Sequence, residues 1–181
     1  MKIQTTKLKD CFIIEPSVFN DSRGVFFESF NKKTFYHHTG LSIEFVQDNQ
    51  SESAFGVLRG LHYQKGNMAQ AKLVRAIQGK VLDVVVDLRK DSETFGQHIS
   101  VILDSTERKQ LFVPRGFAHG FITLSDRSIF SYKCDNYYDK ASEGGIIYND
   151  ATLSIDWHLS KEDFIISEKD LLLPTFLEAT R

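Results

Sequence analysis

Cysteine, proline and net charge are all scarce in this chain, and each scarcity closes off a class of protein. The 2 cysteines, Cys11 and Cys134, stand far apart and fit no metal or redox spacing. Both are expected to be reduced, half-buried thiols. With 3 prolines, no low-complexity tract and no internal repeat, no segment reads as a linker. A single domain spanning residues 1–181 is the expectation. The 22 Lys and Arg nearly balance 24 Asp and Glu, leaving a net charge of -2. Such a balance offers no broad attraction for nucleic acid or an anionic membrane, so any anion recognition has to be local. The start, Met1-Lys2-Ile3-Gln4-Thr5-Thr6-Lys7, lacks the apolar core of a signal peptide, and no apolar run approaches membrane-spanning length. A cytoplasmic location follows as an expectation.

What the chain does have is β character. Hydrophobic residues make up 41% of it, enough for a true core. Period-two alternation and β-branched or aromatic runs recur, whereas long stretches of helical period do not. The clearest strands run from Cys11 to Glu15, Val25 to Phe30, Phe45 to Asn49, Lys72 to Ile77, Val81 to Leu88, His98 to Leu103, Lys109 to Val113, Gly120 to Leu124 and Ser128 to Cys134. Gln78-Gly79-Lys80 reads as a tight turn between two of them. One helix is predicted after Asn31 as N-cap, through Lys33 to His38, ending at Gly40. Helical turns after Ser160 and Ser167 are predicted to form a C-terminal flap. Many short strands with few helices favour an all-β barrel or sandwich, and a closed double-sheet jelly roll would hide the strand edges.

Two segments point to a pocket inside it. Val57-Leu58-Arg59-Gly60-Leu61-His62-Tyr63-Gln64 and Pro114-Arg115-Gly116-Phe117-Ala118-His119-Gly120-Phe121 each set a histidine in an apolar, strand-like stretch beside glycines that permit close approach. Strict alternation would put Leu58, Gly60, His62 and Gln64 on one face and Arg59, Leu61 and Tyr63 on the other, unless a bulge changes the phase. Lys72 and Arg75 lie within the apolar strand Ala71-Lys72-Leu73-Val74-Arg75. Either one of them faces a ligand or this is an edge strand with snorkelling stems. Asp83 and Asp87 alternate onto one face with Val81 and Val85, read here as a rim or solvent face.

A metal site in such a barrel would want His-x-His with a nearby Glu and a further His. Here the motif is His62-Tyr63-Gln64, the later strand histidine is His119, and Lys72 follows close behind, so no metal is expected. His37, His38, His98 and His158 read as surface or capping residues. What remains is acid–base chemistry. His62 suits proton abstraction, and Tyr132 in Phe130-Ser131-Tyr132-Lys133 could donate a proton from another strand, although a core aromatic with a satisfied hydroxyl is the commoner role for such a residue. Arg23, Arg59, Lys72 and Arg75 would supply positive charge suited to phosphates.

The blocks Val57 to Gln64, Ala69 to Arg75, Pro114 to Phe121 and Tyr132 to Tyr138 together resemble the dTDP-4-dehydrorhamnose 3,5-epimerase family. Asp21 to Ser29, Phe45 to Asn49, Ser142-Glu143-Gly144 and Ser167 to Asp170 extend the resemblance over nearly the whole chain. It implies a metal-free, cupin-like jelly-roll β-barrel with a few short helices, working as a homodimer that shares strands between subunits. It implies catalytic roles for His62 as base, Asp170 as its carboxylate partner, Tyr132 as acid on the opposite face and Lys72 as the charge that stabilises an enolate. His119 would line the same cavity. Arg59 would contact phosphate or sugar, and Gln47, Asp48 and Asn49 the nucleotide side. Tyr138 would stack on the base, with Glu143 and Lys169 as further substrate contacts. Arg23 and Glu28 would enter the site from the partner subunit.

The implied substrate is a nucleoside-diphosphate 4-keto-6-deoxy sugar. Its C4 carbonyl acidifies the hydrogens at both C3 and C5, so one base can serve both carbons and no redox cofactor is needed. Tyr63, Phe112 and Tyr148 depart from the residues frequent at those family positions, and none belongs to the proton-transfer set. Family members differ in inverting C3 alone or both centres, and some take GDP-linked or heptose-based 4-keto sugars. A non-catalytic nucleotide-sugar binder and a metal-dependent cupin oxygenase are the readings from other classes. The retained His62, Tyr132 and Asp170 count against the first, and Gln64 and Lys72 against the second.

Overall fold

Strands make up most of the regular structure of the chain. In a computed structural model describing residues Met1–Arg181, the elements run β1 Lys2–Thr5, β2 Phe12–Glu15, β3 Val18–Asp21, β4 Gly24–Phe27, α1 Lys32–Thr39, β5 Gln47–Ala54, β6 Val57–Gln64, β7 Lys72–Gln78 and β8 Lys80–Asp87. They continue β9 His98–Asp104, β10 Gln110–Val113, β11 Phe117–Thr123, β12 Arg127–Cys134, β13 Glu143–Gly145, β14 Ile165–Ile166, α2 Glu168–Leu171 and α3 Phe176–Ala179. One sheet has the order β1-β2-β10-β7-β12-β5; the other runs β13-β6-β11-β8-β9, with β14 added parallel to β6. β3 and β4 form a separate hairpin. No helix is long and apolar enough to cross a membrane.

The all-β, cupin-like jelly roll read from the sequence is the fold found, with the two sheets facing each other unclosed. Between them lies one core, in which Val74, Val113 and Phe130 from the first sheet meet Val85, Phe117 and Phe121 from the second. The outer face of the second sheet is covered by the C-terminal segment through Trp157 and Phe176, and that of the first by Phe35 of α1 against Phe112. Sheets covered on both faces need continuous apolar strands. β11 is accordingly buried at every residue, and β8 at every residue after Lys80.

The helix forms where its caps dictate. Asn31 accepts from the Thr34 amide, and Gly40 closes the far end at φ 71 with its N–H on the Tyr36 carbonyl. Gly79 (φ 75) makes the turn between β7 and β8. The helical turns after Ser160 and Ser167 are present as Lys161–Asp163 and α2.

Several expectations are corrected. β7 is a central strand, between β10 and β12, so the edge-strand reading of Lys72 and Arg75 does not hold. Asp83 and Asp87 are not on a solvent face; both are completely buried, because β8 is enclosed between β9 and β11. Cys11 and Cys134 are free but wholly buried rather than half-buried, and burial pushes their thiols up to about 12 and about 11. β5 continues through polar Gln50-Ser51-Glu52-Ser53 to Ala54, because β12 pairs with it along its full length.

Candidate active site

The site is built where β6 pairs with β11. Gly60 takes φ +118, and a Cβ on it would lie 2.7 Å from the Gly120 Cα; one on Gly120 would lie 2.8 Å from the Arg59 carbonyl oxygen. Only two glycines let these backbones come so close. The ladder shifts register between His119 and Phe121, and the side-chain phase of β6 changes across Gly60. Arg59 and His62, three residues apart, therefore line one cavity, while Leu58 and Leu61 both pack into the outer core. Strict alternation, which separated Arg59 from His62, is overturned here.

The cavity measures about 550 Å³, and its walls include Ser51, Arg59, His62, Lys72, His119 and Tyr132, with Lys169 and Asp170 from the C-terminal flap. His62 Nε2 lies 2.7 Å from Asp170 Oδ1, and the Gly60 N–H donates to Oδ2 of the same carboxylate at 3.2 Å. Asp170 arrives from far along the chain because β14 zips onto Val57 and Leu58 of β6 and Ser167 then caps α2. Burial pushes the Asp170 carboxyl up, but the hydrogen bond and charge of His62, the Gly60 amide and Lys169 outweigh it and hold it below the usual carboxylate range. An ionised Asp170 takes the Nε2–H of a neutral imidazole, leaving Nδ1 as the lone-pair nitrogen.

His119 is the direct ladder partner of His62 and makes a second pair, its Nε2 2.7 Å from Asp83 Oδ2. Asp83 Oδ1 has no partner. Burial raises the Asp83 carboxyl against the opposing pull of His119 and Lys72.

The opposite wall comes from the other sheet. Lys72 of β7 and Tyr132 of β12 face inward from adjacent strands, with Lys72 Nζ 5.8 Å from the Tyr132 ring centroid. Burial lowers the Lys72 ammonium, opposed by Cys134 and Asp83. Burial also raises the Tyr132 phenol, which keeps it protonated at neutral pH, the state a proton donor requires.

An adjoining cleft of about 520 Å³ shares His62, Lys72 and Tyr132 and adds Gln47, Asp48, Asn49, Tyr138 and Glu143. Tyr138 is 55% exposed. Its hydroxyl donates to Glu143 Oε2 at 3.2 Å, and Lys169 Nζ holds the other oxygen at 2.6 Å, which keeps the Glu143 carboxyl low. Arg59 is braced by Nε on Ser53 Oγ at 3.1 Å and Nη2 on the Glu52 carbonyl at 3.3 Å.

His62, Lys72, Tyr132, Asp170, Arg59, His119, Gln47, Asp48, Asn49, Tyr138, Glu143 and Lys169 thus border one continuous cavity and cleft. Arg23 and Glu28 do not reach it within one chain. Arg23 sits on the β3–β4 turn bound to Asp21, and Glu28 accepts from Asn31. Sequence reasoning missed Asp83 and Ser51. An acid inside the apolar run Val81 to Val86 was the available signal for Asp83; Ser51, in a polar stretch, gave none.

A family model described as dTDP-4-dehydrorhamnose 3,5-epimerase matches residues 5–178. The dTDP-4-dehydrorhamnose 3,5-epimerase of Salmonella typhimurium is 49% identical over 179 residues, 99% of this chain and 97% of that protein. The crystal structure of the enzyme of that name from Elizabethkingia anophelis superposes with a TM-score of 0.97 at 55% identity, covering 100% of this chain and 99% of that one. A dTDP-6-deoxy-D-glucose-3,5-epimerase from Legionella pneumophila, solved in complex with dTDP-4-keto-L-rhamnose, gives a TM-score of 0.92 at 45% identity, covering 96% and 92%. Matched nearly end to end in both sequence and backbone, the chain belongs to the dTDP-4-dehydrorhamnose 3,5-epimerase family.

Proposed function

We propose that this chain is a nucleoside-diphosphate 4-keto-6-deoxy sugar 3,5-epimerase, inverting C3 and C5 in rhamnose-type deoxysugar biosynthesis in the cytoplasm. One observation carries the reading. A carboxylate-backed histidine on one sheet shares a cavity with an inward-facing tyrosine and a half-buried lysine on the other. Inversion needs proton removal from one face and return to the opposite face, and two facing sheets supply this arrangement.

His62 Nδ1 takes the proton from C3 or C5. The electron pair moves into the C4 carbonyl, and the Lys72 ammonium holds the resulting enolate oxygen. The Tyr132 hydroxyl returns a proton to the other face of the same carbon. The keto group of the substrate itself provides the acidity, so proton transfer by positioned groups, contributing about 10²–10⁴-fold, is the form of catalysis required. Arg59 contacts phosphate or sugar, Tyr138 stacks on the base with Gln47, Asp48 and Asn49 on the nucleotide side, and the bonded pair Glu143 and Lys169 makes further substrate contacts.

The protein works as a homodimer in this reading. The β3–β4 hairpin leaves Phe19 63% and Phe26 72% exposed, an apolar pair suited to packing on a second copy. The same hairpin carries Arg23 at its turn, with Glu28 just beyond it, which is how both would enter the partner's site.

The test is proton NMR of dTDP-4-keto-6-deoxyglucose with the protein in D₂O. Loss of the C3 and C5 proton signals with inverted products supports the reading. Exchange at C3 alone would make it a C3-epimerase. No exchange with this substrate, but exchange with a GDP-linked 4-keto heptose, would keep the epimerase chemistry and place the substrate among GDP-linked heptoses; exchange with neither would leave a binding relative.

A further inference from the structure

Gln64 lies two residues beyond His62, on the same inward face of β6, where a His-x-His metal site would place its second histidine. It is only 7% exposed, and its amide ties the loop bearing Tyr138 to the turn at Met68. Nε2 donates to the Met68 carbonyl at 2.6 Å and to the Tyr137 carbonyl at 3.0 Å, while Oε1 accepts from the Asp139 N–H at 2.7 Å. The peptide between those anchors is held from across the cleft, where Gln47 Oε1 accepts from the Tyr138 N–H at 2.9 Å. Gln70 Nε2 holds the preceding Asn136 carbonyl at 2.8 Å. The backbone of residues 136–139 is thus fixed by glutamine side chains at each residue, although the Tyr138 ring itself is largely in solvent.

We propose that Gln64 is a positioning residue for nucleotide recognition: by gripping the peptides on both sides of Tyr138 it fixes the plane on which the base stacks. The proposal rests on the reading that Tyr138 meets the base. An exposed ring on a loose loop would have to be ordered on each binding event, and that ordering cost is subtracted from affinity. Gln64 removes it in advance. The side chain must be an amide, because donors and an acceptor have to leave one planar group together. Glutamate could accept from Asp139 but would face two carbonyl oxygens without a proton to offer.

The test is a double-mutant cycle on dTDP affinity by calorimetry, using Gln64→Ala, Tyr138→Ala and the pair, with kcat and KM measured on the nucleotide sugar. Gln64→Ala is expected to weaken dTDP about tenfold and to raise KM similarly, with kcat changed by less than about twofold. In the Tyr138→Ala background the same change should cost less than about twofold, because the platform it serves is gone. Gln64→Glu, close in size and able to keep only the Asp139 contact, should repeat the pattern, and decides the matter should the alanine variant fold poorly. Equal losses in both backgrounds, or a fall in kcat at constant KM, would overturn the role of Gln64 while leaving Tyr138 as the platform. Unchanged dTDP affinity in Tyr138→Ala alone would overturn the stacking reading, and this proposal with it.

Discussion

Replacing Asp170 by asparagine should be more damaging than replacing it by alanine, and the reason lies in the Gly60 amide. In the wild type one carboxylate oxygen faces His62 Nε2 at 2.7 Å and the other accepts the Gly60 N–H at 3.2 Å. A backbone N–H can only donate. Asparagine therefore satisfies Gly60 with its carbonyl and turns its NH₂ toward His62, where it donates to Nε2. That contact forces the proton of the neutral ring onto Nδ1, the nitrogen the reaction needs bare. The variant also loses a charge-assisted hydrogen bond worth roughly 1.5–3 kcal/mol, which would have stabilised the imidazolium. A wrong-tautomer carboxamide in the serine-protease triad lowers kcat by about 10⁴, so a loss of about 10³–10⁴ in kcat with KM within about threefold is expected here. Alanine removes the charge but imposes no tautomer, leaving a loss nearer to about 10². The assay is the initial rate of deuterium incorporation at C3 and C5 under saturating substrate. An asparagine variant more active than the alanine variant would refute the tautomer argument, whatever the absolute rates.

Tyr132→Phe should keep His62-driven deuterium exchange within about tenfold while inverted product falls by about 10²-fold or more; a product distribution matching the wild type would remove Tyr132 as the acid. Asp87 supplies a prediction about stability. Its burial pushes the carboxyl up, but bonds from Arg89, Ser92 and Thr94 outweigh it and hold it down, from 3.8 to about 2. Because the native state binds fewer protons than the unfolded chain in that window, Asp87 contributes fully above about pH 4, and about 2 kcal/mol is lost as pH falls toward 2. Urea unfolding of the wild type and Asp87→Asn should show a stability gap that shrinks between pH 5 and pH 2. A gap constant across that range would contradict the assignment.

The parts of the fold that could be read were those where one period ran unbroken. β8 and β12 declare themselves by runs such as Val84-Val85-Val86 and Ile129-Phe130, and α1 by Asn31 and Gly40 at its ends. From residue chemistry alone only His62 as a base, Tyr132 as an acid and the local positive charges are legible; the other site residues rest on the family resemblance. Where reading failed, the deciding contact lay far away in sequence. The phase of β6 depends on Gly60 meeting Gly120, and no property of Val57 to Gln64 alone announces that partner. The second half of β5 is polar throughout and becomes a strand only because β12 offers its edge. Asp83 was placed toward solvent because acids usually are; His119, brought across from β11, makes its burial tolerable.

The same ladder that sets His62 beside His119 presents two histidine–carboxylate pairs of equal length, 2.7 Å each, so distance alone does not choose the base. Environment does. Around Asp170 the hydrogen bonds and neighbouring cations win over burial, the carboxyl stays low, and the imidazole it supports is 32% exposed by its side chain and able to meet a substrate. Around Asp83 burial wins, the carboxyl is raised, one of its oxygens is unpaired, and the histidine is 6% exposed. A base must gain a proton during the reaction, and the resulting imidazolium is stabilised by a carboxylate that is reliably charged. Of the two, the His62 pair has the carboxyl held low and the ring that a substrate can reach. Asp83 also lies near Lys72, where with Cys134 it opposes the lowering of the ammonium by burial. In the proposed mechanism the proton therefore moves through the His62 pair, and His119 forms part of the cavity wall beside it.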